Sequence, residues 1–257
     1  MFYYLGRKKA LARYYPEPQG DVIVEPFAGS GAYSLHGRRW EKRVIINDLS
    51  DRVFRVWRYL QAATPKDILS LPIPKHRDLL SSFRFLSDEE RWLIAYHVNP
   101  GSDQNTDAVT KFSRWNAGRS YISENLHKIK HWEVLNGEYR DIPNIAATWF
   151  VDPPYQRSGK FYRVNTVDYA ELGDWCLSRK GPVCVCEQSG ATWLPFAPLK
   201  EISICGKKVS REEVYLRGFE EGRSGDQPVQ EKPVTVQETT PTPETAAPLT
   251  LDDLFGF

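Results

Sequence analysis

Residues 149–155 have the sequence Trp-Phe-Val-Asp-Pro-Pro-Tyr. The apolar run before Asp152 is too short for a helix, and two prolines stop the chain from continuing in a sheet. The stretch therefore predicts a short buried strand that ends at an acidic residue. Because open α/β sheets bind ligands beyond the carboxyl ends of their strands, we expect Asp152 to lie in a functional site. A plain strand-to-loop turn is the alternative, since turns also favour Asp and Pro.

The four residues Asp152, Pro153, Pro154 and Tyr155 combine three kinds of contact. They offer a carboxylate acceptor, a rigid backbone with carbonyl groups and a flat aromatic surface. Such a set suits a planar ring that carries an amine. The Asp152 carboxylate and the Pro153 carbonyl can both accept N–H bonds from the amine, and charged acceptors form the stronger bonds. Tyr155 would stack on the ring.

A glycine-rich turn lies upstream. Residues 21–27 predict a buried strand, and residues 28–32 (Ala-Gly-Ser-Gly-Ala) predict a turn that leads into a helix from about residue 33 to 40. Glycines allow a tight turn and the close approach of a ligand to the backbone. The N–H groups at the start of that helix would face an anionic or carboxylate-bearing ligand.

The next predicted strand, residues 43–48, also ends in an acid. Asp48 follows Gly29 by 19 residues. In nucleotide-type sites an acid at the end of the second strand, about 20 residues after the glycine turn, holds ribose hydroxyl groups. Asp48 is therefore a predicted ligand-binding residue.

Strand and helix patterns alternate along most of the chain. This alternation predicts an α/β fold, with a mostly parallel sheet and helices on both faces. Predicted strands are residues 21–27, 43–48, 131–136, 147–152, 182–187, 201–205 and 213–216, and predicted helices are 33–40, 50–60, 88–97 and 168–179.

Composition points to a globular intracellular protein. The 257 residues, 41% of them hydrophobic, suffice for one good core. No apolar run approaches the roughly 18 residues of a membrane span, and the first residues lack the layout of a signal peptide, so we expect a cytoplasmic protein. The four cysteines and five histidines show no metal-ligand spacing. We predict no metal site and expect the cysteines to be reduced core residues.

Two motifs together carry a family resemblance. Residues 24–31 (Val-Glu-Pro-Phe-Ala-Gly-Ser-Gly) and 152–155 (Asp-Pro-Pro-Tyr) resemble the Dam-type family of DNA N6-adenine methyltransferases and stand in the same order. Residues 4–8 (Tyr-Leu-Gly-Arg-Lys) resemble the family's N-terminal aromatic-x-Gly-x-Lys element, although Arg7 replaces a glycine that is usual there. Residues 137–139 (Gly-Glu-Tyr) resemble the element that lines the cofactor's adenine.

The resemblance, which covers residues 1 to about 219, implies a Rossmann-like class I methyltransferase fold. Residues 1–60 and 131–219 would form the catalytic domain, and residues 61–130 a target-recognition insert. The implied reaction is methyl transfer from S-adenosylmethionine to the N6 amine of an adenine flipped out of double-stranded DNA, which costs a few kcal/mol. The residues that it implies for the cofactor are Tyr4, Lys8, Glu25, Pro26, Phe27, Ala28, Gly29, Gly31, Asp48, Glu138, Tyr139 and Asp152.

A polar stretch between residues 99 and 125 is the predicted DNA contact, because long polar loops in compact domains are usually functional or mobile. The folded part is basic: residues 1–219 carry 32 basic and 25 acidic residues, which is compatible with a polyanionic partner. The alternatives are a solvated loop with a basic face and, for the loop that contains Lys160, a flexible linker. The predicted DNA-binding residues are Lys111, Arg114, Trp115, Asn116, Arg119 and Lys160.

Residues 220–257 differ from the rest of the chain. They carry eight acidic and two basic residues and five prolines, a composition that predicts a disordered tail. Its tip, residues 249–257, resembles the acidic-aromatic tip of bacterial single-stranded-DNA-binding proteins and the short motif that binds the replication sliding clamp. An inert tail is the alternative.

Two other functions remain open at this stage. An RNA or cytosine-N4 methyltransferase would use related chemistry, although Ser or Asn tends to stand at the position of Asp152 in such enzymes. A catalytically idle DNA-binding module with a replication-docking tail is the alternative from a different class.

Overall fold

The structure, a computed structural model, describes residues 1–4, 8–99, 107–110, 113–157, 167–204 and 207–220. Its centre is a sheet of seven strands. The strands are β1 (Val22–Glu25), β2 (Arg43–Asn47), β3 (Glu133–Leu135), β4 (Thr148–Val151), β5 (Val183–Gln188), β6 (Ala197–Ile204) and β7 (Lys207–Arg217). Of these, β1, β4 and β5 are short and mostly buried.

The seven strands lie in the order β3-β2-β1-β4-β5-β7-β6. The first five in this order are parallel, and β7 is antiparallel to both of its neighbours. The predicted mostly parallel α/β sheet is therefore confirmed. The strand order reverses between β1 and β4, and the loops that follow these two strands open into one crevice. Ligands bind at such a switch point in sheets of this type.

Helices cover both faces of the sheet, as predicted. Ile23 and Phe150 face a core that also contains buried residues of α1, α3 and α4, whereas Val24 and Trp149 face a second core that contains α5. The α-helices are α1 (Asp51–Ala62), α2 (Pro65–Ser70), α3 (Asp88–Val98), α4 (Ser113–Asn125) and α5 (Tyr169–Leu177), and short 3-10 helices span Ala12–Tyr14, Arg39–Glu41, Leu80–Ser82, Leu126–Ile129 and Tyr139–Asp141.

The helix predicted from about residue 33 to 40 is wrong. The chain forms successive turns there and then the 3-10 helix Arg39–Glu41. Two local features explain the difference. The Glu25 carboxylate accepts a hydrogen bond from the Ser34 backbone N–H at 2.8 Å, and Gly37 has a φ of +55°, which a right-handed helix does not allow.

The polar stretch predicted as a recognition loop contains a helix. Residues 113–125 form α4, which packs against α2 and α3. Trp115 and Ile122 are both fully buried on its inner side. The buried side of α4 is hard to recognise in the sequence, because polar residues surround Trp115 and Ile122.

The described N-terminal residues belong to the core and are not frayed. The Phe2 side chain is fully buried and stacks on Tyr96 of α3 with ring centroids 5.0 Å apart. The same ring contacts Trp57 of α1 at 5.3 Å. The start of the chain is therefore packed beside the crevice.

Some predictions lie outside the described residues. These are the two DNA contacts Lys111 and Lys160 and almost all of the tail, residues 221–257. Among the helices that the structure describes, none combines the length and the apolar character that a bilayer span requires.

Candidate active site

The crevice between β1 and β4 brings the two motifs together. Asp152 follows β4 directly, and the glycine turn follows β1, its parallel neighbour. The loop after Asp152 is held in place by two side chains. The Tyr169 hydroxyl donates to the Pro154 carbonyl at 2.7 Å, and the Gln156 N–H donates to the Glu187 carboxylate at 3.2 Å.

A cluster of charged and phenolic groups surrounds Asp152. The Lys8 ammonium lies 2.8 Å from Asp152 Oδ1 and 3.8 Å from Glu212 Oε1, and it sits over the Tyr155 ring, 4.5 Å from the centroid. The hydroxyls of Tyr15 and Tyr155 both donate to Glu212 Oε1, at 2.8 and 2.7 Å. The cluster thus joins residues from the N-terminal segment, the loop after β4 and β7.

Burial alters the acid–base behaviour of this cluster. Loss of solvation raises the pKa of Asp152 and of Glu212, and the neighbouring Lys8 ammonium partly opposes the rise in both. Potential ligand atoms of Asp152, Cys186 and Glu212 lie within 4.8 Å of one another. The Lys8 ammonium, 2.8 Å from Asp152 Oδ1, supplies a positive charge beside these three residues.

Three residues of this site escaped the sequence analysis: Tyr15, Glu187 and Glu212. Glu212 is 8% exposed although it carries a carboxylate. The available signal was the alternation in β7, where Glu212 shares the buried side with Val214. Sequence gives no hint of the partners of Glu212, because Tyr155 and Tyr15 are 57 and 197 residues away.

The glycine turn has the backbone geometry of a ligand-binding loop. Gly29 and Gly31 have φ values of +46° and +61°, a region that favours glycine. The Gly29 N–H donates to Asp48 Oδ2 at 2.9 Å, and the Gly29 carbonyl accepts from the Trp57 indole at 2.9 Å. Tyr4 lies against this turn, because a Cβ atom on Gly29 would be 2.8 Å from its ring.

Hydrogen bonds connect three residues around the glycine turn, Pro26, Ala28 and Asn47. The side-chain amide of Asn47 donates to the Pro26 carbonyl at 3.0 Å, and the Ala28 N–H donates to the Asn47 carbonyl at 2.8 Å. These bonds tie the loop after β1 to β2. Pro26 and Ala28 therefore shape the site through the backbone.

Two aromatic rings pack together beside the ends of β1 and β3. The rings of Phe27 and Tyr139 lie 5.3 Å apart. The Tyr139 hydroxyl is buried, and in the described part of the chain it has no hydrogen-bond partner. Glu138, next to it, is half-exposed.

Glu25 lies at the end of β1 and is 2% exposed. Burial raises the pKa of its carboxyl group from 4.5 to about 7, against the opposing effect of the hydrogen bonds with Ser34. The group therefore binds a proton more tightly in the folded than in the unfolded chain. Its contribution to stability is complete below about pH 4.5 and is lost as the pH rises through 7.

We expect Glu25→Gln to remove this pH dependence, because the amide oxygen can still accept from Ser34 but does not titrate. Between pH 5 and 8 the free energy of unfolding of the native chain should fall by about 2–3 kcal/mol more than that of the variant. Urea unfolding of both proteins at the two pH values measures the difference. Parallel curves would contradict the expectation.

The predicted DNA-binding residues have different environments. Trp115 is wrong as a base contact, because it is fully buried and its indole donates to the Pro72 carbonyl at 2.8 Å. The Arg119 guanidinium ties α4 to α2 through the carbonyls of Leu69 and Leu71, at 2.8 and 2.9 Å. It also donates to the Asn116 side chain at 3.1 Å.

Arg114, in contrast, lines a cavity of about 540 Å³ between α4, α3, the N-terminal segment and residues 30–37, which include part of the glycine turn. Its guanidinium lies 5.6 Å from the centroid of the Tyr3 ring, and Lys9 lies 5.0 Å from that of Tyr121. All four residues line the cavity. Cations interleaved with aromatic rings suit a nucleic-acid strand, because phosphates attract the former and bases stack on the latter.

The strand order and the glycine turn of this crevice define a Rossmann-like α/β fold. Residues 4–121, slightly less than half of the chain, match the model of the D12 class N6 adenine-specific DNA methyltransferase family. The match confirms the predicted resemblance to the Dam-type adenine methyltransferases over this part of the chain.

Two solved structures are similar to the chain at low identity. A protein of Pseudomonas syringae, described as a candidate methyltransferase, is 11% identical with a TM-score of 0.38; the alignment covers 82% of this chain and 97% of the other. The rRNA methyltransferase AviRa of Streptomyces viridochromogenes is 12% identical with a TM-score of 0.35 and 81% coverage of both chains. No curated protein matches the chain. The fold assignment rests on the strand order.

Proposed function

We propose that the protein is a DNA adenine methyltransferase that methylates the N6 amine of an adenine flipped out of double-stranded DNA. The observation that carries the proposal is the convergence of the glycine turn and Asp152 at the β1/β4 switch point, in a chain whose first half matches the D12 family. The direct test is nucleoside mass spectrometry on DNA treated with the purified protein and S-adenosylmethionine. N6-methyladenine is the expected product, and its absence would contradict the proposal.

In this proposal the loop after β4 activates the amine. The lone pair of an exocyclic adenine amine is delocalised into the ring, so the amine is a weak nucleophile. The Asp152 carboxylate and the Pro153 carbonyl would each accept one of its N–H bonds and localise the lone pair. The Pro154 carbonyl already accepts from Tyr169, whereas no hydrogen bond from the described residues reaches that of Pro153.

The crevice also fits the proposed cofactor. S-adenosylmethionine supplies an electrophilic methyl group on a positively charged sulfur. Asp48 would hold the ribose, and Phe27 and Tyr139 would flank the adenine ring. Tyr4, Glu25 and the turn from Pro26 to Gly31 would complete the site, with Glu138 beside the ring.

DNA contact is proposed for the cavity lined by Arg114, Lys9 and Tyr3. The remaining predicted contacts Lys111, Asn116 and Lys160 stay proposals. Arg119 is left out of the proposed contact, because its guanidinium is bound to backbone carbonyls at the end of α2.

Arg114→Ala should weaken DNA binding and reduce the slope of log K against log salt by about one, because one phosphate contact is lost. Arg119→Ala is the matched control on the same helix. It should lower the free energy of unfolding but leave the salt slope unchanged. Fluorescence anisotropy with duplex DNA at several salt concentrations distinguishes the two, and equal slopes for native chain and Arg114→Ala would refute the assignment.

The catalytic domain (1–60 and 131–219), the recognition insert (61–130) and the tail (220–257) remain a proposed division of the chain. We further propose that the protein acts in the cytoplasm of a bacterium or of a phage-infected cell, where DNA is accessible. Residues 249–257 are proposed to dock on the sliding clamp or another replication protein. Co-purification with such proteins, before and after deletion of this tip, would test the docking.

A further inference from the structure

The Lys8 ammonium occupies the place that the proposed reaction assigns to the target adenine. It lies 2.8 Å from Asp152 Oδ1, the acceptor that the amine needs, and over the ring of Tyr155, on which the base would stack. A cation is attracted to the face of an aromatic ring, so Lys8 covers the Tyr155 face on which the base would stack. Lys8 and the base therefore compete for the same two groups.

An ammonium group left on Asp152 would also oppose the chemistry. A carboxylate that already pairs with a cation is a weaker acceptor for the adenine amine. Positive charge develops on that amine during methyl transfer, and a second cation close to it would raise the barrier. Productive binding therefore requires that Lys8 pairs elsewhere.

Glu212 is placed to receive it. Its Oε1 atom lies 3.8 Å from the Lys8 nitrogen, so a small movement of a flexible side chain would bring the two into contact. The carboxylate itself is held in position by the hydroxyls of Tyr15 and Tyr155. With Asp152 and Glu212 ionised, the three groups carry one net negative charge, which suits a cationic reaction.

We propose that Glu212 is a positioning residue that takes over the Lys8 ammonium when the adenine amine binds to Asp152. This inference rests on the proposed function and extends it. Lys8 thereby stabilises the Asp152 carboxylate in the absence of DNA, and Glu212 makes that stabilisation reversible. Glu212 lies outside the part of the chain that matches the family model.

The test measures recognition of the amine without catalysis. Two DNA duplexes carry either adenine or purine, which lacks the 6-amine, opposite an abasic site. The ratio of their dissociation constants reports the contact between amine and Asp152. The native chain should prefer adenine by at least about tenfold, as expected for hydrogen bonds to charged groups.

Glu212→Gln keeps an acceptor for both tyrosines but loses the charge, and we expect it to lose most of this preference. Glu213→Gln, at the neighbouring position of β7, is the control and should keep it. In a Lys8→Gln background, Glu212→Gln should have no further effect, because no ammonium remains to be moved. A merely structural role would instead lower the preference equally in both backgrounds.

The outcomes separate the two proposals. If the native chain shows no preference for adenine, both the proposed function and the exchange are wrong. If the native chain prefers adenine and Glu212→Gln does so equally, the exchange is wrong while the proposed function stands. Thermal unfolding of each variant shows that it is folded, so that a lost preference can be assigned to the site.

Discussion

Asp152→Asn should reduce methyl transfer by about 10²–10³-fold, the loss expected when one preorganised group that stabilises the transition state is removed. The substitution preserves the size of the side chain and one acceptor oxygen. It removes the negative charge that polarises the amine and that balances Lys8, whose ammonium lies 2.8 Å away. Transfer of a labelled methyl group to DNA at saturating cofactor measures the rate.

A matched control is Asp174→Asn, an exposed residue on α5, which should retain full activity. The melting temperature of Asp152→Asn, measured alongside, shows whether the variant is folded, so that a lost activity can be assigned to the missing carboxylate. Native-like activity in Asp152→Asn would show that the carboxylate does not take part in the reaction.

Trp57→Ala should lower the free energy of unfolding by about 3–5 kcal/mol, the range for truncation of a large buried aromatic residue. The side chain is 1% exposed and packs between Phe2 and Trp132, with ring centroids 5.3 and 5.7 Å away. Its indole N–H also holds the Gly29 carbonyl. The cavity would therefore lie directly beneath the glycine turn.

Cofactor affinity should fall together with stability in this variant, because the turn loses its support. Trp57→Phe tests the hydrogen bond alone, since the ring is largely kept, and a loss of about 1–3 kcal/mol is expected for the unsatisfied carbonyl. Trp92→Ala on the half-buried side of α3 is the control. Denaturant unfolding measures stability, and equal losses at Trp57 and Trp92 would contradict the assigned role.

The parallel part of the sheet could be predicted from sequence because its signals are local. Each strand is a short apolar run, and the acid or glycine after it marks the ligand edge. The helix from about residue 33 to 40 was predicted wrongly, because the capture of the Ser34 N–H by Glu25 is a contact that no local pattern reveals. Trp115 was wrongly predicted to contact DNA bases, because most residues of α4 are polar and the sequence does not reveal that Trp115 lies on its buried side.

The part of the site that depends on distant contacts was beyond local patterns. Asp152 and the glycine turn were found through their motifs. Glu212 was not found, because its role depends on its contacts with Tyr15 and Lys8. Both of these residues lie near the other end of the chain. A buried carboxylate such as that of Glu212 indicates a functional site once the structure is known. In a sequence, a Glu within a strand gives no sign of whether it is buried.

The contact between Tyr15 and Glu212 spans 197 residues and has a consequence for synthesis on the ribosome. Translation at about 5–20 residues per second separates the emergence of these two residues by roughly 10–40 s. During that interval the nascent chain carries the glycine turn and later Asp152, but not the strand that completes the charge cluster. A truncated translation product that ends before β7 would therefore be unable to assemble this cluster.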